Sequence, residues 1–193
     1  MKESLNEFLK PTYFCESDDP EIVRLARKIV GKKKGKAAAV ALFNWVRDNK
    51  KYNIIKIVGA ADTLKNKSAI SFDKTNILIA LCRASGIPAR YLQLKCIMNS
   101  KIRPDIAKSD LHIPAEICVN GKWHFADPTF SNDTKRLIDK SEFGKPTYKK
   151  ILSEKRYSSL SRIQVFIVNL IIPRLKVLKE LQKVLDEVRN QKT

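Results

Sequence analysis

The chain has 193 residues, 44% of them hydrophobic, enough for one domain with a real core and an appendage. Its net charge of +18 admits anionic partners such as nucleic acid, acidic lipid or acidic polymer, although the lysines are scattered, as a lysine-rich coding bias would leave them. Four cysteines without a C-x-x-C pair, and no signal-peptide pattern, exclude a small disulfide scaffold and point to free thiols in a reducing, cytoplasmic setting. The two histidines belong to no ligand-spaced cluster, so neither metal nor cofactor is expected.

Residues 1–16 read as a leading arm anchored by Leu9, Tyr13 and Phe14. Ser17-Asp-Asp19-Pro20-Glu21 is a helix start, with a cap residue, a proline in the first turn and then an acid. Ile22, Val23, Leu25, Ala26, Ile29 and Val30 give the apolar stripe, and Gly31 closes it. Lys32-Lys-Lys-Gly-Lys36 is a basic loop, either a phosphate grip or a solvated charge run. A second helix is expected from Ala37 to about Asn49, with Val40, Phe43 and Trp45 or Val46 facing inward. A short apolar run, Ile54 to Gly59, leads to the next helix.

That helix begins at Ser71 and is apolar on nearly every face through Ile77, Leu78, Ile79, Leu81 and Cys82. A helix of this kind belongs in the middle of a domain. Gly86 supplies a left-handed closing position, and Pro88 cannot continue a helix. Asp73 sits in the first turn, at the positive end of the helix dipole, so Ser71 stands where backbone N–H groups point outward unpaired. Serine is also a preferred cap, which offers a purely structural role.

Tyr91 to Met98 alternates and reads as a strand, followed by a polar basic loop from Asn99 to Asp110. Asn120-Gly121 between two alternating runs predicts a tight hairpin in which Val119 opposes Lys122, Cys118 opposes Trp123, Glu116 opposes Phe125 and Pro114 opposes Asp127. His112 is then the diagonal neighbour of Asp127 on one face, within side-chain reach, and His124 falls on the other face. Residues 131–155 are polar and lysine-rich. From Ser158 onward leucines, isoleucines and valines recur at helical spacing around Pro173, giving one kinked helix or two successive ones. The expected division is a domain over residues 1–150 and a helical extension over residues 151–193. Residues 158–190 would pack back on the domain, bind a protein partner or a second copy, or lie on a membrane surface. The run Val165–Ile172 is too short to span a bilayer.

Five stretches, in order, resemble the transglutaminase-like superfamily, a branch of the papain-like cysteine hydrolases. They are Asn44-Trp-Val-Arg-Asp-Asn49 near Tyr52, Asp73-Lys-Thr-Asn76, Arg83-Ala-Ser-Gly-Ile-Pro-Ala-Arg90, His112-x-x-x-Glu116, and Gly121-Lys-Trp123 with Asp127-Pro-Thr129. The resemblance covers about residues 10–130. It implies an α+β fold, helices packed on an antiparallel sheet, and a Cys-His-Asp triad acting on a peptide or protein amide. The family's nucleophile position is Ser71, with Ala69 in place of its glycine and Pro114 in place of its tryptophan. His112 is then the base and acid, and Asp127 its orienter. With serine at the nucleophile position the implied acyl-transfer activity is weak or absent. Four origins of Ser71 stand open: an introduced inactivating substitution, a naturally inactive relative, a true serine hydrolase, or a different nucleophile position. The other reading is a non-catalytic protein of the same fold that binds a polyanion or a protein partner.

Overall fold

Apolar residues on every face take one helix to the centre of the molecule, and the other elements are arranged around it. The computed structural model describes residues 4–53, 57–101, 108–132, 134, 138–161, 165, 183 and 186–187. Helix α1 is Pro20–Val30, α2 is Gly35–Asn49, α3 is Ala60–Lys65 and α4 is Ser71–Ala84. The Asp19 carboxylate accepts the Glu21 and Ile22 N–H groups, as the cap sequence predicts. In α4 every residue from Phe72 to Arg83 is buried. It closes on Gly86 at φ +71°, with Gly86 N–H donating to Arg83 O and Ile87 N–H to Cys82 O.

Strands β1 (Lys51–Tyr52) and β2 (Ser68–Ala69) form a short parallel pair with Tyr52 opposite Ala69. The main sheet is antiparallel, made of β3 (Ala89–Met98), β4 (Lys108–His112), β5 (Ala115–Val119), β6 (Lys122–Ala126) and β7 (Tyr148–Tyr157). Strand β7 runs along one edge of β3, while β4 and then β5 follow the other. The β5–β6 register is the one the Asn-Gly turn dictates, from Val119 opposite Lys122 to Ala115 opposite Ala126. Asn120 and Gly121 both take positive φ, 52° and 76°, as a type I′ turn requires.

Strand β3 divides two cores by its alternation. Ala89 and Tyr91 face the helices, with Leu42, Phe43, Val46, Ile77, Leu78 and Leu81. Leu92, Leu94, Cys96 and Met98 face a second cluster with Tyr52, Ile70 and Phe72. The Tyr91 hydroxyl donates to Asn76 Oδ1, and Asn76 Nδ2 donates to Phe14 O at 2.6 Å, which ties β3, α4 and the leading arm together. Tyr91→Phe strands a buried acceptor and should lower stability by about 1–3 kcal/mol. An unchanged urea midpoint would remove that assignment.

Several expectations are corrected. The leading arm is anchored by Phe8, which forms a short 3₁₀ turn with Leu5–Leu9 and packs edge-on against Trp123, whereas Tyr13 is 58% exposed. The loop expected to end at Asp110 gives way to β4 from Lys108, because these residues find a partner in β3. The expected boundary at residue 150 falls inside β7, which pairs with β3 from Met98 to Tyr91. Most of the helical extension lies outside the described residues. Among the described residues no helix is long and apolar enough to cross a membrane.

Candidate active site

The hairpin and β4 deliver a histidine and a carboxylate to the same point. His112 closes β4 opposite Leu94, and Asp127 follows β6 directly. His112 Nε2 lies 2.8 Å from Asp127 Oδ2, and both side chains are buried. The Thr147 hydroxyl donates to the same oxygen at 2.5 Å, and the Thr129 N–H donates to Oδ1 at 3.0 Å. Burial alone would push the Asp127 carboxyl up. The charge and hydrogen bond of His112, with hydrogen bonds from Thr129 and Thr147, outweigh it and hold the group at about 2. His112 Nδ1 is left as the nitrogen not engaged by Asp127.

Ser71 is the first residue of α4 and is half-buried. Ile70 occupies the cap position, and among the described residues the Ser71 hydroxyl has no hydrogen-bond partner. Its side chain therefore does not fill the cap role that a serine near a helix start suggests. Tyr52 links the two parts of the site. Its backbone pairs with Ala69, two residues before Ser71, and its phenol is raised to about 12 by burial and then by the charge of Asp127. Ile70 and Phe72, on either side of Ser71, share a core with Tyr52 and with Leu94, the strand partner of His112. Tyr52 and Leu94 thus connect the residues flanking Ser71 to the strand that pairs with β4.

Cys82 and Cys96 are made poor nucleophiles by their surroundings. Cys82 lies three turns down α4, fully buried, and burial pushes its thiol far up. Cys96 is raised to about 11 by burial and by the Asp127 charge. His124 is on the far side of the hairpin against Phe143. The apolar run beginning at Ile54 lies partly outside the described residues. Its described end is held by α4, since the Val58 N–H donates to the buried Asp73 carboxylate at 3.2 Å. Burial pushes that carboxyl up to about 8, against the pull of this hydrogen bond. Thr129 belongs to the Asp-Pro-Thr stretch that the sequence already singled out, whereas Thr147, 20 residues from Asp127, carried no signal of its role.

The transglutaminase-like superfamily model matches residues 23–128. Among solved structures, a protein of Cytophaga hutchinsonii described as a candidate cysteine protease aligns at 24% identity and TM-score 0.58, over 81% of this chain and 56% of its own. The periplasmic domain of TgpA from Pseudomonas aeruginosa aligns at 18% identity and TM-score 0.51, over 70% of this chain and 51% of its own. At these identities the likeness is one of fold, and the chain spans about half the length of each of these proteins. No curated protein sequence matches. The motif order, the antiparallel sheet behind a buried helix and the span of the family match agree: the chain belongs to the transglutaminase-like superfamily.

Proposed function

We propose that Ser71, His112 and Asp127 occupy the nucleophile, base and orienter positions of an acyl-transfer site for peptide or protein amides, with its activity weakened by serine. The observation that carries this reading is the buried 2.8 Å contact between His112 and Asp127, at the end of the hairpin. A carboxylate there fixes one ring nitrogen and leaves the other to exchange a proton with a nucleophile and a leaving amine. A cysteine at position 71 would have the positive end of α4 and an imidazolium to hold it as thiolate. A hydroxyl is not ionised by either, so His112 would have to take its proton during attack. Loss of a triad nucleophile costs on the order of 10⁶ in rate in the well-studied serine case.

The test is Ser71→Cys in the full chain, labelled with iodoacetamide from pH 5 to pH 9 and located by mass spectrometry. At pH 6 the introduced thiol should label about a hundredfold faster than in the same chain carrying His112→Ala, because an unperturbed thiol near 8.5 is almost all protonated there. Titration like a free cysteine in both would end the acyl-transfer reading. The second reading, a non-catalytic binder of polyanions or proteins in the reducing compartment of a cell, draws on the +18 charge. A steep fall of polyanion binding with salt would favour it.

A further inference from the structure

Three residues beyond Ser71, on the next turn of α4, stands a lysine with no solvent exposure. Its ammonium donates to the carbonyl of Thr129 at 2.9 Å and to that of Arg47 at 3.3 Å. Both carbonyls belong to particular places. Arg47 is in the last turn of α2, where carbonyls lack helical partners and the dipole favours a cation. Thr129 is the residue whose N–H holds Asp127 Oδ1. The Lys74 ammonium thus holds, through its carbonyl, the same residue whose N–H holds the Asp127 carboxylate. A buried ammonium is costly unless its hydrogen bonds are met, so this side chain has little freedom to shift. The corner is clamped further on. Phe130 N–H donates to Ser141 Oγ, Ser141 N–H to Phe130 O, and the Arg47 guanidinium to Ser141 O.

We propose that Lys74 is a positioning residue that sets the Asp127 corner, and through it His112, against the helix that carries Ser71. The proposal rests on the acyl-transfer reading only for its consequence in catalysis. The chain of contacts from Lys74 to Thr129 to Asp127 to His112 stands without it. Lys74 touches neither reacting atom. It acts by fixing the distance between two elements that approach from different parts of the chain, α4 and the segment after β6.

Arg83 provides the control. It lies near the other end of α4 and performs the same chemistry, a buried cation on carbonyls of Ala89, Lys10 and Ser158, away from the site. Lys74→Met and Arg83→Met should both lower the melting temperature. Two readouts separate them. The first is the imidazole N–H proton of His112 toward Asp127, followed by ¹⁵N-histidine NMR and its exchange with solvent. The second is alkylation at position 71 in the Ser71→Cys background. Lys74→Met should speed that proton's exchange and slow alkylation by roughly ten- to a hundredfold each, the scale of an ångström misplacement at a reacting centre. Arg83→Met should leave both within about twofold. In an Asp127→Asn background, Lys74→Met should add nothing further to the alkylation loss. An unchanged His112 proton, an equal effect of Arg83→Met, or an additive loss in the Asp127→Asn background would each overturn the proposal. Where Lys74→Met does not fold, Lys74→Gln, whose NH2 group keeps two N–H donors without the charge, is judged by the same readouts. A free-cysteine titration in Ser71→Cys would end the acyl-transfer reading alone, and the His112 proton would still decide the role of Lys74.

Discussion

Asp127→Ala should cost about 3–5 kcal/mol of folding stability, the range for breaking a buried charged pair from one side. The carboxylate is fully enclosed and receives His112 Nε2, the Thr147 hydroxyl and the Thr129 N–H. Its removal strands all three at once in a site that water does not reach. Asp127→Asn keeps the volume and one acceptor oxygen, but it turns an N–H group toward a donor. It should therefore fold while losing most of the reactivity of Ser71→Cys, as the corresponding change does in serine triads by about 10⁴. The acid limb of stability gives an independent check. The folded carboxyl titrates at about 2, below its unfolded value of 3.8. The contribution is therefore whole above about pH 4 and is lost as pH falls toward 2, by about 2 kcal/mol. Urea melts at pH 2, 3, 4 and 6 would show that limb in the parent chain and its absence in Asp127→Asn. Parallel curves would contradict the pairing.

Asp73 should behave in the opposite sense. It is buried at the first turn of α4, accepts the Val58 N–H with Oδ1, and has no partner for Oδ2 among the described residues. Its folded value of about 8 lies above the unfolded 3.8. Between those values the folded chain keeps a proton that the unfolded chain has released, so stability falls as pH rises, by about 1.4 kcal/mol per unit. From pH 4 to pH 7 the loss from this one group is up to about 4 kcal/mol, with the positive end of the helix working against it. Asp73→Asn keeps the Val58 acceptor and cannot ionise. It should be no more stable than the parent at pH 5 and clearly more stable at pH 8. Denaturant midpoints at the two values decide this, and a gap that does not widen with pH would refute it.

These two residues mark where sequence reading succeeds and where it stops. The Asp127 partnership was legible because a two-residue Asn-Gly turn fixes register, and register fixes which side chains share a face. The burial of α4 was legible from an apolar pattern without a polar side. The fate of the polar residues in the same helix was not. Asp73, Lys74, Asn76 and Arg83 are all buried, and their partners include backbone groups of Val58, Thr129, Phe14 and Ala89 and the Tyr91 hydroxyl, which no spacing within the helix reveals. Strand β7 escaped for a related reason. Seven of its ten residues are exposed, six of them polar or charged, which hides any alternation; its pairing with β3 is carried by the backbone. Ser71 is the first residue of α4, as the apolar pattern and its closing glycine predict.

The way β3 is flanked also bears on how the chain reaches this state. The contacts that hold Asp127 come from residues 2, 15 and 20 positions away, so they close short loops at small entropic cost. The grip of Lys74 on Thr129 spans 55 positions, and β3 waits for a β7 partner still farther down the chain. Hairpins form in about 1–10 μs, whereas pairings distant in sequence set the slow step of folding. By sequence separation the histidine and its carboxylate belong to one local unit, whereas α4 is joined to it by a contact far apart in the chain.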